Sequence, residues 1–277
     1  MKSEKIVMAT KIKQYMLNAY YWLMFVIVTL VFFIILPLFI FISIAFLKRK
    51  LDSALRRGIV VYGWILVTIV PFFAPVEVDS RAEKLPFPAI IVANHSSAVD
   101  PFLFGTLLID AGFIATWPFK IPVYGMLMRL AGYVSANDGW EKVCRKSVSV
   151  LESGASLIIW PEGHRSRDGR LGRFRNGAFT LAVKTGFPIL PVCIIGSGEF
   201  LPPGRRLMVP NRIKLVLLDP LYPDVRANQE EEIIKLRKKA KAVIQKALEE
   251  STKPMAIIPV MNSLEEVKNV NSCRKCF

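Results

Sequence analysis

The sequence predicts an α/β fold: a mixed, mostly parallel sheet covered by helices, preceded by an N-terminal membrane-embedded helical element. Three observations predict it. From about Val76 onward, short runs rich in Ile and Val alternate with amphipathic stretches. Upstream of them, residues 19–47 carry no charged side chain. Hydrophobic residues make up 53% of the 277-residue chain and mean hydropathy is +0.39, more apolar than an ordinary soluble domain.

The uncharged run comes first. It exceeds the roughly 20 residues that cross a bilayer. It also exceeds a signal-peptide core of about 7–15 residues, and no small-residue cleavage site follows it. Pro37 lies inside it and is expected to kink or break the helix there. A second, shorter apolar stretch runs from Ile59 to Phe73, with Lys48, Arg49, Lys50, Arg56 and Arg57 between the two. A spanning hairpin would put those cations on the side opposite Lys2, Lys5, Lys11 and Lys13, against the positive-inside tendency. A re-entrant element with both ends cytoplasmic keeps every cluster beside anionic lipid, and a single true span is the rival arrangement. The expected organisation is therefore a membrane-embedded, re-entrant helical element over residues 1–75, a globular domain on the cytoplasmic side over 76–250, and a C-terminal tail over 251–277.

Within the globular domain, Ala89–Asn94, Gly132–Ala136, Ser156–Trp160, Ile189–Ile195 and Ile213–Leu218 read as strands. Their near-continuous apolar character implies burial on both faces, hence helices above and below the sheet. Helices are expected over Pro101–Asp110, Gly139–Ser153, Gly177–Thr185 and Gln229–Glu250. The last begins with Glu230, Glu231 and Glu232 and becomes lysine-rich, as the helix dipole favours.

A net charge of +15 and a pI near 9.8 point to anionic partners: lipid headgroups, phosphate-bearing substrates, an acidic carrier protein or nucleic acid. The chain's 4 cysteines form no disulfide framework at this length, so a reducing compartment is the default. Cys273 and Cys276 make a CxxC at the extreme tail, without the βαβ context of a redox motif, and are read as idle thiols.

Two polar turns carry the chemistry. His95, one of only 2 histidines, follows an apolar strand, so it sits at a carboxyl edge where open α/β sheets place their sites. Asp100 precedes Pro101 and is expected to cap the helix beginning there. A strand-to-helix turn can also fold back enough for that carboxylate to reach a ring nitrogen of His95, leaving the other nitrogen as a general base. A loop histidine beside a capping aspartate is the plainer alternative. The second turn, Trp160-Pro161-Glu162-Gly163-His164-Arg165-Ser166, leaves another strand and opens an arginine-rich stretch containing Arg165, Arg167, Arg170, Arg173 and Arg175. Glycine permits close backbone approach, and guanidinium groups suit bidentate phosphate binding. A solvated basic loop is the bland reading of the same run.

Taken in order, these segments resemble the glycerophospholipid acyltransferase family. Asn94-His95 followed after four residues by Asp100 resembles its first motif, and Phe119–Gly125 the segment before its second. Pro161–Ser166 resembles its third motif, Phe174–Ala178 the usual continuation, and Phe187–Ile194 its fourth. The resemblance implies that His95 deprotonates an acceptor hydroxyl, which attacks an acyl thioester directly, with Asp100 orienting His95. Glu162, Gly163, His164, Arg165 and Ser166 would form the substrate-binding turn, joined by Asn137. It implies no metal and no cofactor beyond the co-substrate, an acyl thioester on coenzyme A or acyl carrier protein. The implied partners are a membrane lipid, the thioester donor and, where it is the donor, acyl carrier protein. Nucleic acid is not among them.

This chain departs from the family pattern twice. Asn137 stands where the second motif usually carries an Arg, and His164 replaces the usual Thr of the third. The first departure removes a charge from the acceptor site. The acceptor is therefore 1-acyl-glycerol-3-phosphate or another lysolipid. A hydrolase using the same pair is the rival enzyme, but no GxSxG elbow occurs and Ser96 and Ser97 are poorly placed as nucleophiles. A basic, membrane-tethered anion- or nucleic-acid-binding protein is the non-enzyme rival, and it leaves His95 and Asp100 without a role.

Overall fold

A computed structural model describes residues 2–71 and 74–252, with the backbone alone for residues 2–10 and 252. Cys273 and Cys276, and with them nearly all of the expected tail, lie outside the described residues.

The sheet forms as the apolar runs require. Its strands are β1 (Val76–Ser80), β2 (Ile90–Ala93), β3 (Ala111–Ala115), β4 (Val134–Ser135), β5 (Ser156–Ile159), β6 (Ile189–Ile195) and β7 (Ile213–Leu217), in the order β1-β7-β6-β2-β5-β3-β4. Every neighbouring pair is parallel except β6 and β7. Successive residues of a strand point to opposite faces. In central β2, Ile91 and Ala93 join one core layer while Ile90 and Val92 join the other, all fully buried.

The helices follow in chain order: α1 (Lys2–Ala45), α2 (Leu51–Trp64), α3 (Asp100–Leu103), α4 (Pro122–Leu130), α5 (Trp140–Glu152), α6 (Gly177–Thr185), α7 (Ser197–Phe200) and α8 (Gln229–Thr252). Phe179, Leu181, Leu236, Ala240 and Ile244 of α6 and α8 cover one face of the sheet. Tyr21 and Leu36 of α1, Leu55 and Tyr62 of α2, and Leu103 of α3 join the core on the other face.

Several sequence expectations change. No break occurs at Pro37: α1 continues through it as one helix. The helix expected over Pro101–Asp110 shortens to α3, followed by a 3-10 turn over Phe104–Leu107 that ends on left-handed Leu108. The cause is close packing. A Cβ on Gly105 would overlap the backbone of Gly63 and Trp64 in α2, so α2 lies directly on this turn. Asp110 is freed to face α2, where Arg56 Nε donates to it at 2.6 Å. Arg56, only 1% exposed, also donates to Asp52 at 3.0 Å and to the Ala131 carbonyl at 3.1 Å. Strands β1 and β3 are additional to those expected. The composition shifts near Val76, but the packing does not divide there, because α2 is part of the core beneath the sheet.

Within the described residues, Lys11–Ala45 is the one helix long and apolar enough to cross a membrane by length and composition. Its outer surface is apolar: Ile34 is 77% exposed, Leu38 60% and Phe41 62%.

Candidate active site

Strands β2 and β5 are parallel neighbours, with Val92 level with Ile159, so their carboxyl ends deliver the two polar turns side by side. Asn94 fixes the first turn. Its side chain donates to the Ile194 carbonyl at 2.8 Å and accepts from the Ile194 amide at 2.7 Å, tying the end of β2 to β6. The chain then folds back on itself, and Asp100 Oδ2 lies 2.7 Å from His95 Nδ1.

Asp100 is fully buried and gathers three donors on that one oxygen: His95 Nδ1, and the amides of Ser96 and Ser97 at 2.8 and 2.9 Å. Its role at the helix start therefore differs from the expected cap, because it takes up amides that precede it rather than those of the first turn. A carboxylate oxygen only accepts, so in the neutral imidazole Nδ1 carries the proton and Nε2 the lone pair. The ring is 18% exposed at the cleft and stacks on Trp160, centroids 4.6 Å apart at 26°. Trp160 in turn stacks on Phe113 at 5.5 Å, which fixes the plane of the imidazole.

The second turn is bolted to the first. Glu162, 3% exposed, accepts the His95 amide on Oε1 at 3.0 Å and the Gly172 amide on Oε2 at 2.7 Å. The Ser166 amide donates to the His95 carbonyl at 2.7 Å. Both oxygens of Glu162 thus hold backbone, and this residue shapes the site. Gly163 adopts φ +76°, and a Cβ there would press on the Arg175 guanidinium, so glycine lets that side chain lie across the turn. His164, Arg165, Arg167, Arg170 and Arg175 are exposed. Asn137 is exposed in the turn after β4 and is not among the residues lining the cleft that contains His95, although its neighbour Ala136 is.

That cleft has a volume of about 1880 Å³. Its lining includes His95 and the cations Arg165, Arg167, Arg170 and Arg175 together with apolar residues such as Phe113, Met128, Ile158 and Leu181. An imidazole, several guanidinium groups and apolar side chains lining one cleft suit a substrate with an anionic head and a hydrocarbon tail. The sequence reading missed Trp160 as a site residue, though an indole at a strand end beside Pro161 was a visible signal. It also missed the hydrogen bond from Ser97 Oγ to the Leu201 carbonyl at 2.9 Å, which no local pattern announces. Among the described residues no cluster of His, Cys, Asp or Glu is arranged to hold a metal ion.

Residues 77–195 match the model of the family described as Acyltransferase, spanning both turns. The chloroplastic 1-acyl-sn-glycerol-3-phosphate acyltransferase of Brassica napus is 34% identical over 169 residues, 57% of this chain and 48% of that protein. Its Arabidopsis thaliana counterpart is 33% identical over 178 residues, 60% of this chain and 49% of that one. The chain thus spans about half the length of these curated relatives. The crystal structure of the 1-acyl-sn-glycerophosphate acyltransferase from Thermotoga maritima superposes with a TM-score of 0.64 at 29% identity, covering 85% of this chain and 99% of that one.

Proposed function

Since the chain belongs to the glycerophospholipid acyltransferase family, we propose that it acylates the free hydroxyl of 1-acyl-glycerol-3-phosphate from a fatty acyl thioester. The observation that carries this reading is the His95–Asp100 contact at the wall of a cleft lined by both arginines and apolar side chains.

The steps follow from those positions. The acceptor hydroxyl gives its proton to His95 Nε2 while its oxygen attacks the thioester carbonyl, and Asp100 stabilises the imidazolium that forms. Collapse of the tetrahedral intermediate breaks the C–S bond, and the imidazolium returns the proton to the departing thiolate. No residue of the chain is acylated. Arg165 and its neighbouring arginines hold the acceptor phosphate, for which a guanidinium offers a planar fork. The apolar recess takes the acyl chain. The thioester rides on coenzyme A or acyl carrier protein.

The protein works at a membrane, with the globular domain on the cytoplasmic side. The apolar surface of α1 and the cations at both of its ends support this placement. The test is purified full-length protein given one acyl thioester and a panel of lysolipids, with products read by mass spectrometry. Phosphatidate from lysophosphatidate supports the acceptor assignment. Turnover of another lysolipid alone would overturn that assignment and leave the transfer chemistry standing.

A further inference from the structure

The cleft has a second cationic element that the motif-bearing turns do not include. Arg205 and Arg206 line it from the loop between α7 and β7. Both are exposed, and among the described residues neither side chain has an acidic partner. Two cations left unneutralised at the rim of a substrate cleft are a place for an anion.

The loop is held firmly, which distinguishes it from a solvated basic stretch. At its base, Ser97 Oγ donates to the Leu201 carbonyl at 2.9 Å, two residues from His95, and the Val209 amide donates to Phe200 at 2.8 Å. Beside that base, Asn18 of α1 is 3% exposed and exchanges two hydrogen bonds with Met208: its Nδ2 donates to the carbonyl at 2.9 Å and its Oδ1 accepts from the amide at 2.6 Å. Trp22 Nε1 adds a third tie, to the Arg206 carbonyl at 3.1 Å. The loop is thus clasped between the reacting histidine's own turn and the apolar helix α1. Four residues of extended chain reach at most about 14 Å, which bounds how far Arg205 can lie from Leu201, and Arg205 lines the same cleft as His95.

We propose that Arg205 and Arg206 form a second anion subsite, which receives the phosphomonoester of the lipid acceptor as it enters the cleft along α1. This rests on the acyltransferase reading above and deepens it. Asn137, where a cation was expected, does not line the cleft, and the α7–β7 loop supplies positive charge from the opposite side of the sequence. The phosphates of the thioester donor and the anionic bilayer surface present the same chemistry. The attachment of the loop to α1 favours the acceptor, because the acceptor is the substrate that arrives from the lipid phase.

The experiment compares full-length wild type with Arg205→Ala/Arg206→Ala and with the charge-conserving Arg205→Lys/Arg206→Lys, in neutral detergent micelles and on anionic vesicles. Acceptors are lysophosphatidate and monoacylglycerol, which lacks the phosphate. The expected result is a rise in the KM for lysophosphatidate of about 10- to 100-fold in the alanine variant, in micelles as well as on vesicles. The KM for monoacylglycerol and for the acyl thioester should stay within about twofold, and the lysine variant should recover most of the loss. An equal loss for both acceptors, a rise confined to the thioester's KM, or a loss seen only on anionic vesicles would each overturn the proposal. Wild-type protein that makes no phosphatidate would overturn the underlying reading itself. Wild-type activity with an unchanged variant KM would overturn the subsite alone.

Discussion

At the scale of the residue, the site depends on how few oxygens organise it. Asp100 Oδ2 alone fixes His95 Nδ1 and two amides of the same turn. In Asp100→Asn the amide can still accept from those amides but cannot stabilise an imidazolium. Transfer should fall by roughly 10²- to 10⁴-fold in kcat, as loss of an orienting carboxylate does elsewhere, and steady-state kinetics will read it. A loss under tenfold would remove Asp100 from the mechanism. Glu162 makes a different prediction, because each of its oxygens accepts a backbone amide in the interior. Glu162→Gln turns one of those acceptors into a donor facing a donor, at a cost of about 1–3 kcal/mol. It should appear as a lower Tm together with reduced activity, whereas a pure substrate contact would lower activity at unchanged Tm. The residues of both turns were legible in the sequence because their spacing is local. Trp160 was not assigned to the site, since only the fold brings its ring against His95.

The element scale is governed by close approach of backbones. Helix α2 rests on the 3-10 turn after α3 at Gly63 and Gly105, and the α3 segment begins at Asp100 itself. A methyl group on Gly105 would meet backbone atoms, which cannot rotate away. Gly105→Ala should therefore separate α2 from the turn that carries His95 and Asp100, lowering Tm and at the same time slowing the proposed transfer. Wild-type Tm and rate in this variant would show that the contact carries no such constraint. The strands that were legible are the ones buried on both faces. β1 escaped notice because it is an edge strand with Glu77 and Val78 exposed, and β3 because Ala111, Gly112 and Ala115 give little β signal. The over-long helix expected from Pro101 reflects the same blindness: periodicity does not reveal that another backbone lies against Gly105.

Across the whole molecule, composition suggested a boundary near Val76 that packing does not respect. Ile59, Val60 and Gly63 line the cleft, and Leu55, Tyr62 and Leu66 belong to the core under the sheet. Removing residues 1–75 should consequently yield an aggregation-prone chain without cooperative unfolding, rather than a soluble, weakly active domain; calorimetry and size-exclusion chromatography distinguish the two outcomes. Helix α1 contributes differently, with Asn18 and Tyr21 packed on the domain and a long apolar surface outside it. The α/β class, the sheet's mixed and mostly parallel character and the apolar N-terminal helix were all readable in advance, because each rests on hydrophobic pattern. The cleft was not, being assembled from six or more separate segments. The central claim is that His95 accepts the acceptor's proton during direct transfer. The measurement closest to it is phosphatidate formation by wild type and His95→Ala side by side, with free fatty acid quantified in the same reactions. The account predicts phosphatidate from wild type and none above background from a folded His95→Ala protein. Phosphatidate from His95→Ala at a near-wild-type rate, or release of free fatty acid by wild type in place of phosphatidate, would contradict it.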